Sequence, residues 1–354
     1  MRKSVQILAV VGVVALTASA CGSKPAKSTS ASGSYKACMV TDTGGIDDRS
    51  FNASAWKGML DAQKGGKVTS SNVQSTSEND YVPNINALIN KKCDIIVTVG
   101  GLMSDATKSA AQAHTDQKFA IVDAAYDPPL PNVFGMEFNT AQGAFLGGYL
   151  AAGMTKTGAV ATYGGIKIAP VTIYMDGFWE GVQYYNKQKN TNVKVLGWSE
   201  KTQNGTFANS FTDQNKGKQI TNNFEQQGAD IVFPVAGGTG LGSGAAAQAS
   251  GGKLNLLWVD FDGCENAPQY CPFFISSVVK NIPAIVTKTV DGAAAGSFSS
   301  GAYVGTLQND GTSLAPFHQW ASKVPADLKS ELQQIQQGII GGTITITSPA
   351  QPKS

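Results

Sequence analysis

The chain has 354 residues, 42% of them hydrophobic and 15% charged, with a formal net charge of +2. That balance suits a well-buried globular protein and, without a basic cluster, argues against nucleic acid as a partner. No stretch after the N-terminal segment is long and apolar enough to cross a bilayer, so the chain does not itself form a pore.

Arg2 and Lys3 precede an apolar run over residues 5–16 that is too short to span a membrane and is followed by small residues. This is the pattern of a signal peptide, assigned to residues 1–20. Ala18-Ser19-Ala20-Cys21-Gly22 admits two kinds of processing: ordinary cleavage after a small-x-small site, or a lipobox-like site where the Cys21 thiol is acylated and the chain is cut before it. A lipobox usually has Leu where this chain has Ala18. The Ser-rich stretch behind Cys21 cannot bury a core, and it favours lipidation with residues 21–34 as anchor and flexible tether. Two or more acyl chains anchor stably where one does not.

From Tyr35 on, short apolar runs alternate with helix-like segments. The first set predicts strands at 37–41, 68–74, 94–99, 119–122 and 133–138, with helices at 51–63, 81–91, 105–114 and 140–154. The pattern then restarts with strands at 159–163, 193–196, 230–235 and 254–260 and helices at 173–186, 215–227 and 242–249. A strand at 274–279, a helix at 282–295, strands at 303–307 and 343–346 and a helix at 326–337 complete the chain. Nearly all-apolar strands alternating with helices imply parallel sheets covered on both faces. The expected fold class is α/β, with two doubly wound parallel-sheet lobes joined by a hinge. The expected lobes are 35–155 plus 274–300, and 156–273 plus 301–347.

Ligands of such sheets bind beyond the carboxyl ends of the strands. Asp42, Asp123 and Asp260 all fall there, and Gly100-Gly101 and Gly237-Gly238 follow two further strands, where backbone can approach a ligand closely. One Asp alone reads best as a turn or cap residue; three at equivalent strand ends point to a site. Besides Cys21 there are four cysteines, and in an exported chain an even number suggests disulfides. Cys264 and Cys271 flank a short loop and are the first expected pair. Cys38 with Cys93 is a second, provided the first and third strands are neighbours; buried free thiols fit these two equally well.

Val40-Thr41-Asp42-Thr43-Gly44-Gly45-Ile46-Asp47-Asp48-Arg49-Ser50-Phe51-Asn52 resembles the opening motif of the basic membrane protein family of nucleoside-binding lipoproteins. The likeness continues through Gly100-Gly101-Leu102-Met103-Ser104-Asp105-Ala106, Phe119-Ala120-Ile121-Val122-Asp123, Ala236-Gly237-Gly238-Thr239-Gly240-Leu241-Gly242, Val259-Asp260 and Ser277-Val278-Val279-Lys280. The resemblance implies a type I periplasmic-binding-protein fold that closes on a purine nucleoside and delivers it to an ABC permease and its ATPase. It also implies a monomer lipid-anchored on the outer face of the cell membrane, with no cofactor, no metal and no catalysis. By the same resemblance Phe51 and a second aromatic, best matched by Phe211 with Phe207 close by, sandwich the base. Asp42, Asn52 and Asp123 match base-contacting positions. Asp260, Lys280 and the Gly237-Gly238 backbone match ribose-contacting ones.

The residue types suit that task. Aromatic faces stack on a flat heterocycle, Asn offers donor and acceptor to a base edge, and an acidic pocket tolerates an uncharged nucleoside while repelling a phosphate. Two other functions compete. Gly240-Leu241-Gly242-Ser243-Gly244-Ala245, after a strand and opening a helix, fits the G-x-G-x-x-A of an NAD-type oxidoreductase with Asp260 as the ribose acid. A two-lobed binding protein could also sense its ligand rather than deliver it. Hydrolase chemistry finds little footing, since the two histidines, His114 and His318, accompany no nucleophile motif.

Overall fold

The computed structural model describes residues 34–352. The expected signal peptide, Cys21 and all of the tether but Ser34 lie outside the described residues. The first half runs β1 (Tyr35–Val40), α1 (Phe51–Lys64), β2 (Val68–Val73), α2 (Tyr81–Asn90), β3 (Ile95–Val99), α3 (Ser104–Ala113), β4 (Lys118–Val122), β5 (Val133–Phe138) and α4 (Thr140–Met154). The second runs β6 (Ala159–Gly164), α5 (Ala169–Lys189), β7 (Lys194–Leu196), β8 (Trp198–Ser199), β9 (Asn204–Gly205), α6 (Gln214–Gln226), β10 (Ile231–Val235), α7 (Leu241–Ala249) and β11 (Asn255–Asp260). The remainder is α8 (Gly263–Asn266), β12 (Phe274–Lys280), α9 (Ile282–Ala294), β13 (Gly301–Gly305), β14 (Thr312–Leu314) and α10 (Ala326–Ile340).

The strands form two six-stranded sheets, ordered β13-β5-β4-β3-β1-β2 and β14-β12-β11-β10-β6-β7. All pairings in them are parallel except β12 with β14. Each strand alternates its side chains between two helix layers. In β1, Ala37 and Met39 join the core under α1 and α9, while Cys38 and Val40 join the one under α2 and α3. In the second sheet Val160 faces α4 and α5, and Ala161 and Tyr163 face α6 and α7. Both faces are thus dry over the inner strands, which is why β3 and β4 are nearly all apolar.

The tail divides differently from the expected lobes. Strand β12 pairs with β11, so residues 274–280 belong to the second sheet, whereas β13 pairs with β5 and puts 301–305 in the first. Helix α4 packs in the core of the second lobe, and α9 in that of the first. The chain therefore crosses between lobes after β5, after β12 and between β13 and β14. The crossings are tied together: the Asn139 amide donates to the Gly305 carbonyl at 2.8 Å, and the Asn281 amide to that of Gly311 at 2.9 Å. Residues 343–346 form no strand, despite their alternating Thr and Ile. Ile346 and the partly buried Ile344 instead pack against the core of the second lobe.

Cys264 and Cys271 are bonded, as are Cys38 and Cys93. The second bridge is possible because β1 pairs directly with β3.

Candidate functional site

A cleft of about 500 Å³ opens where the carboxyl ends of the two sheets face each other. Strands β4 and β11 occupy equivalent places in their sheets, and each ends on an aspartate in the left-handed backbone region, Asp123 at φ 65° and Asp260 at φ 64°. A non-glycine residue there costs on the order of 1–3 kcal/mol, and such strain gathers at functional sites. Between the two carboxylates stands Lys280, at the end of β12. Its Nζ donates to Asp123 at 2.7 and 3.0 Å and lies 3.7 Å from Asp260 Oδ1. The side chains of all three are almost wholly enclosed.

Asp260 has further partners. The Tyr174 hydroxyl donates to its Oδ1 at 2.8 Å, and the Ser50 hydroxyl, from the other lobe, to its Oδ2 at 2.8 Å. Each oxygen keeps one lone pair free for a ligand. The Trp258 indole also donates across the cleft, to the Arg49 carbonyl at 3.2 Å. These bonds and the Lys280–Asp123 pair hold the lobes together across the site.

The opposite end of the cleft is built on the loop into α1. The Asp48 carboxylate accepts from the amides of Ser50, Asn52 and Ala53 at 3.0, 2.8 and 3.0 Å. It thus satisfies amides that the first helical turn leaves open and sets the positions of Phe51 and Asn52. The Asn52 amide nitrogen donates to Asp42 at 2.7 Å, and its carbonyl oxygen has no partner. Phe51 faces the cleft with Lys280 Nζ 4.9 Å from its ring centre. On the other lobe Phe211 lines the cleft, and its ring sits so close to Gly165 that a Cβ there would come within 2.4 Å of it. The Thr239 amide and hydroxyl, each donating at 3.0 Å to the carbonyls of Phe211 and Ser210, pin that loop. Phe207 packs on Gly164 and Trp198 instead.

Burial pushes the Asp42 carboxyl up to about 6 and that of Asp48 up to about 7, from an ordinary 3.8, with neighbouring carboxylates adding to the rise and the hydrogen bonds just described opposing it. Burial also raises Asp123, against the pull of Lys280. A carboxyl whose folded pKa is raised holds its proton more tightly folded than unfolded. Its contribution is complete below pH 3.8 and fades as the pH climbs through 6 and 7. The ligand-free protein should therefore melt at lower temperature at pH 8 than at pH 5, and Asp48→Asn should flatten that slope. Calorimetric melting across the range checks this; a melting temperature that rises with pH, or an unchanged slope in the variant, contradicts it.

The structure brings Asp42, Phe51, Asn52, Asp123, Phe211, Gly237, Asp260 and Lys280 to one cleft. Gly238 lies just behind, against the Phe211 carbonyl and Asp48. Sequence reasoning missed Asp48, Tyr174, Pro170 and Val171. Asp48 sat within the opening motif, three residues before the predicted helix. Pro170 marks a helix start earlier than the predicted 173, and Tyr174 follows one turn later on the same face. The dinucleotide-like glycines serve packing instead. A Cβ on Gly242 would meet the Gln214 carbonyl at 1.9 Å, and one on Gly244 the Tyr270 ring at 2.4 Å, so no pyrophosphate can approach them.

The family model for "ABC transporter substrate-binding protein PnrA-like" proteins, Bmp, matches residues 35–337. The chain is 30% identical to the CD4+ T-cell-stimulating antigen of Listeria innocua, over 99% of this chain and all of that one. It is 28% identical to the ABC transporter nucleoside-binding protein BmpA of Lactococcus lactis, over 98% of this chain and all of that one. The fold is similar to that of an ABC transporter solute-binding protein from Aeropyrum pernix, with a TM-score of 0.80 at 24% identity, covering 89% of this chain and 93% of that one. With two lobes, a cleft at their strand ends and this match over most of its length, the chain belongs to the Bmp family of PnrA-like ABC transporter substrate-binding proteins.

Proposed function

We propose that the protein captures a purine nucleoside outside the cytoplasm, as a monomer anchored through lipidated Cys21, and delivers it to an ABC permease and its ATPase. The observation that carries this reading is the pair Phe51 and Phe211, one from each lobe, in a single cleft with buried carboxylates. The base fits between the rings, its edge toward Asp42 and Asn52. The ribose fits at the other end, its hydroxyls toward the free lone pairs of Asp260 and toward Lys280. Because Asp123 accepts both its hydrogen bonds from Lys280, it belongs with the sugar end in this reading rather than with the base. A nucleoside is uncharged, whereas a nucleotide phosphate would enter a cleft whose lining holds four aspartates, Asp42, Asp48, Asp123 and Asp260, and one lysine. The nucleoside-binding name of the Lactococcus lactis relative supports the same ligand class.

Calorimetric titration with purine nucleosides, uridine, free purine and ribose tests this. Purine nucleosides should bind tightest. Phe211→Ala should weaken them at least about 10-fold, since stacking on a base contributes roughly 1–3 kcal/mol. Ribose binding as tightly as adenosine, or Phe211→Ala leaving affinity unchanged, would overturn the reading.

A further inference from the structure

A second cavity, with about 370 Å³ of empty space, lies behind the Lys280–Asp123 pair. It shares Asp123, Lys280 and Pro170 with the main cleft but does not include Asp260, so it extends the site away from that carboxylate. Two of its walls carry polar groups with nothing to bind. Glu137, on β5, is half-buried and makes no hydrogen bond or ion pair among the described residues. Burial and the nearby Asp123 hold its carboxyl above the ordinary range. Thr140, at the start of α4, is fully buried, and its hydroxyl also lacks a partner. Ala350 and Pro352 of the C-terminal segment close the outer side, and that segment is fixed by Thr347 and Ser348, whose amide and hydroxyl donate to Glu180 and Asp176 at 2.8 and 2.6 Å.

Buried polar groups without partners are rare, because each costs on the order of 1–3 kcal/mol. Here the Thr140 hydroxyl is such a group, and it and the half-buried, unpaired Glu137 border an empty space that continues the ligand site. We infer that this cavity is a subsite for a hydrogen-bond-donating 5′ substituent of the nucleoside, and that Glu137 is its acceptor. The inference rests on the nucleoside reading. In this pose the 2′ and 3′ hydroxyls take Asp260 and Lys280, and the 5′ carbon points past Lys280 toward Asp123 and the cavity. An ammonium or hydroxyl there satisfies Glu137. A phosphate meets two carboxylates, Asp123 and Glu137, and only one ammonium.

The test is calorimetric titration with adenosine, 5′-deoxyadenosine, 5′-amino-5′-deoxyadenosine and adenosine 5′-monophosphate, on the wild type, Glu137→Gln and Thr140→Val. The amino compound should bind at least about 10-fold tighter than the 5′-deoxy compound, as one charge-assisted hydrogen bond allows, and the monophosphate should bind weaker than adenosine. In Glu137→Gln the amino-to-deoxy affinity ratio should fall several-fold. A smaller fall in Thr140→Val would add the hydroxyl to the subsite. If adenosine binds but the amino and deoxy compounds bind alike, or Glu137→Gln keeps the full ratio, the subsite is overturned and the nucleoside reading stands. If no nucleoside binds, both are overturned.

Discussion

Lys280→Met should be among the most damaging single substitutions in this protein. It leaves Asp123 and Asp260 facing each other in an enclosed site, with Tyr174 and Ser50, both on Asp260, as the only remaining side-chain donors to them among the described residues. Removing one member of a buried ion pair costs about 3–5 kcal/mol, because the charge left behind is neither solvated nor paired. The melting temperature should fall by roughly 5–10 °C at pH 8. The fall should shrink at pH 5, where Asp123, already raised by burial, can take up a proton. Asp123→Asn should restore much of the stability in the Lys280→Met background while lowering it in the wild type, a coupling that a double-mutant cycle reads directly. Nucleoside affinity should not return with it, since the ammonium at the sugar end is still missing. A single variant that melts within about 1 °C of wild type at both pH values would show that Lys280 is not the counter-charge assigned to it.

Gly148→Ala should destabilise just as clearly, against the usual sign. In a helix interior Ala is favoured over Gly by about 1 kcal/mol. Here a Cβ on Gly148 would meet the Phe178 carbonyl at 2.0 Å, and one on Gly181 would meet that of Phe145, also at 2.0 Å. The contacts are reciprocal, and a Cβ on Gly177 would reach the Ala141 carbonyl at 2.3 Å. Helices α4 and α5 therefore touch backbone to backbone, and neither side can yield by a rotamer change. Forcing them apart should cost about 3 kcal/mol or more, at or above the upper end of ordinary overpacking. It also moves α5, whose first turns carry Pro170, Val171 and Tyr174 in the cleft, so affinity should fall with stability. Gly292→Ala in α9 is the internal comparison: a Cβ there meets nothing closer than 3.9 Å, and the change should be neutral or stabilising. Denaturant midpoints of the two variants decide the matter. Equal shifts would contradict the packing argument.

Much of the fold was legible because it follows from double burial. Strand β3, with every residue buried, could be read from its apolar run alone, and β4 nearly so. The strand-end aspartates were legible for the same reason, since a carboxylate directly after a fully buried strand stands out. What escaped was set by pairing rather than by pattern. Residues 343–346 alternate like a strand, but they pair with neither sheet, and their isoleucines pack on the second lobe's core instead. The hairpin of β8 and β9 has strands of two residues each, too short to show a period. The tail could not be allotted to lobes because a strand's sequence does not say which sheet it pairs with, and β12 and β13 pair with opposite sheets. Tyr174 was hidden because a buried helical tyrosine reads as core until its hydroxyl is seen 2.8 Å from Asp260. Phe211 and Phe207 could not be separated by sequence; the close approach of Gly165 to Phe211 and of Gly164 to Phe207 separates them.

The central claim is that a purine nucleoside lies in the cleft with its base between two aromatic rings and its sugar at the lysine end. A crystal structure of the protein grown with adenosine measures this most directly. The account predicts the purine between Phe51 and Phe211, its edge at Asp42 and Asn52, and its ribose hydroxyls on Asp260 and Lys280. A base lying outside the two rings, or a ribose turned toward Asp42, would contradict it.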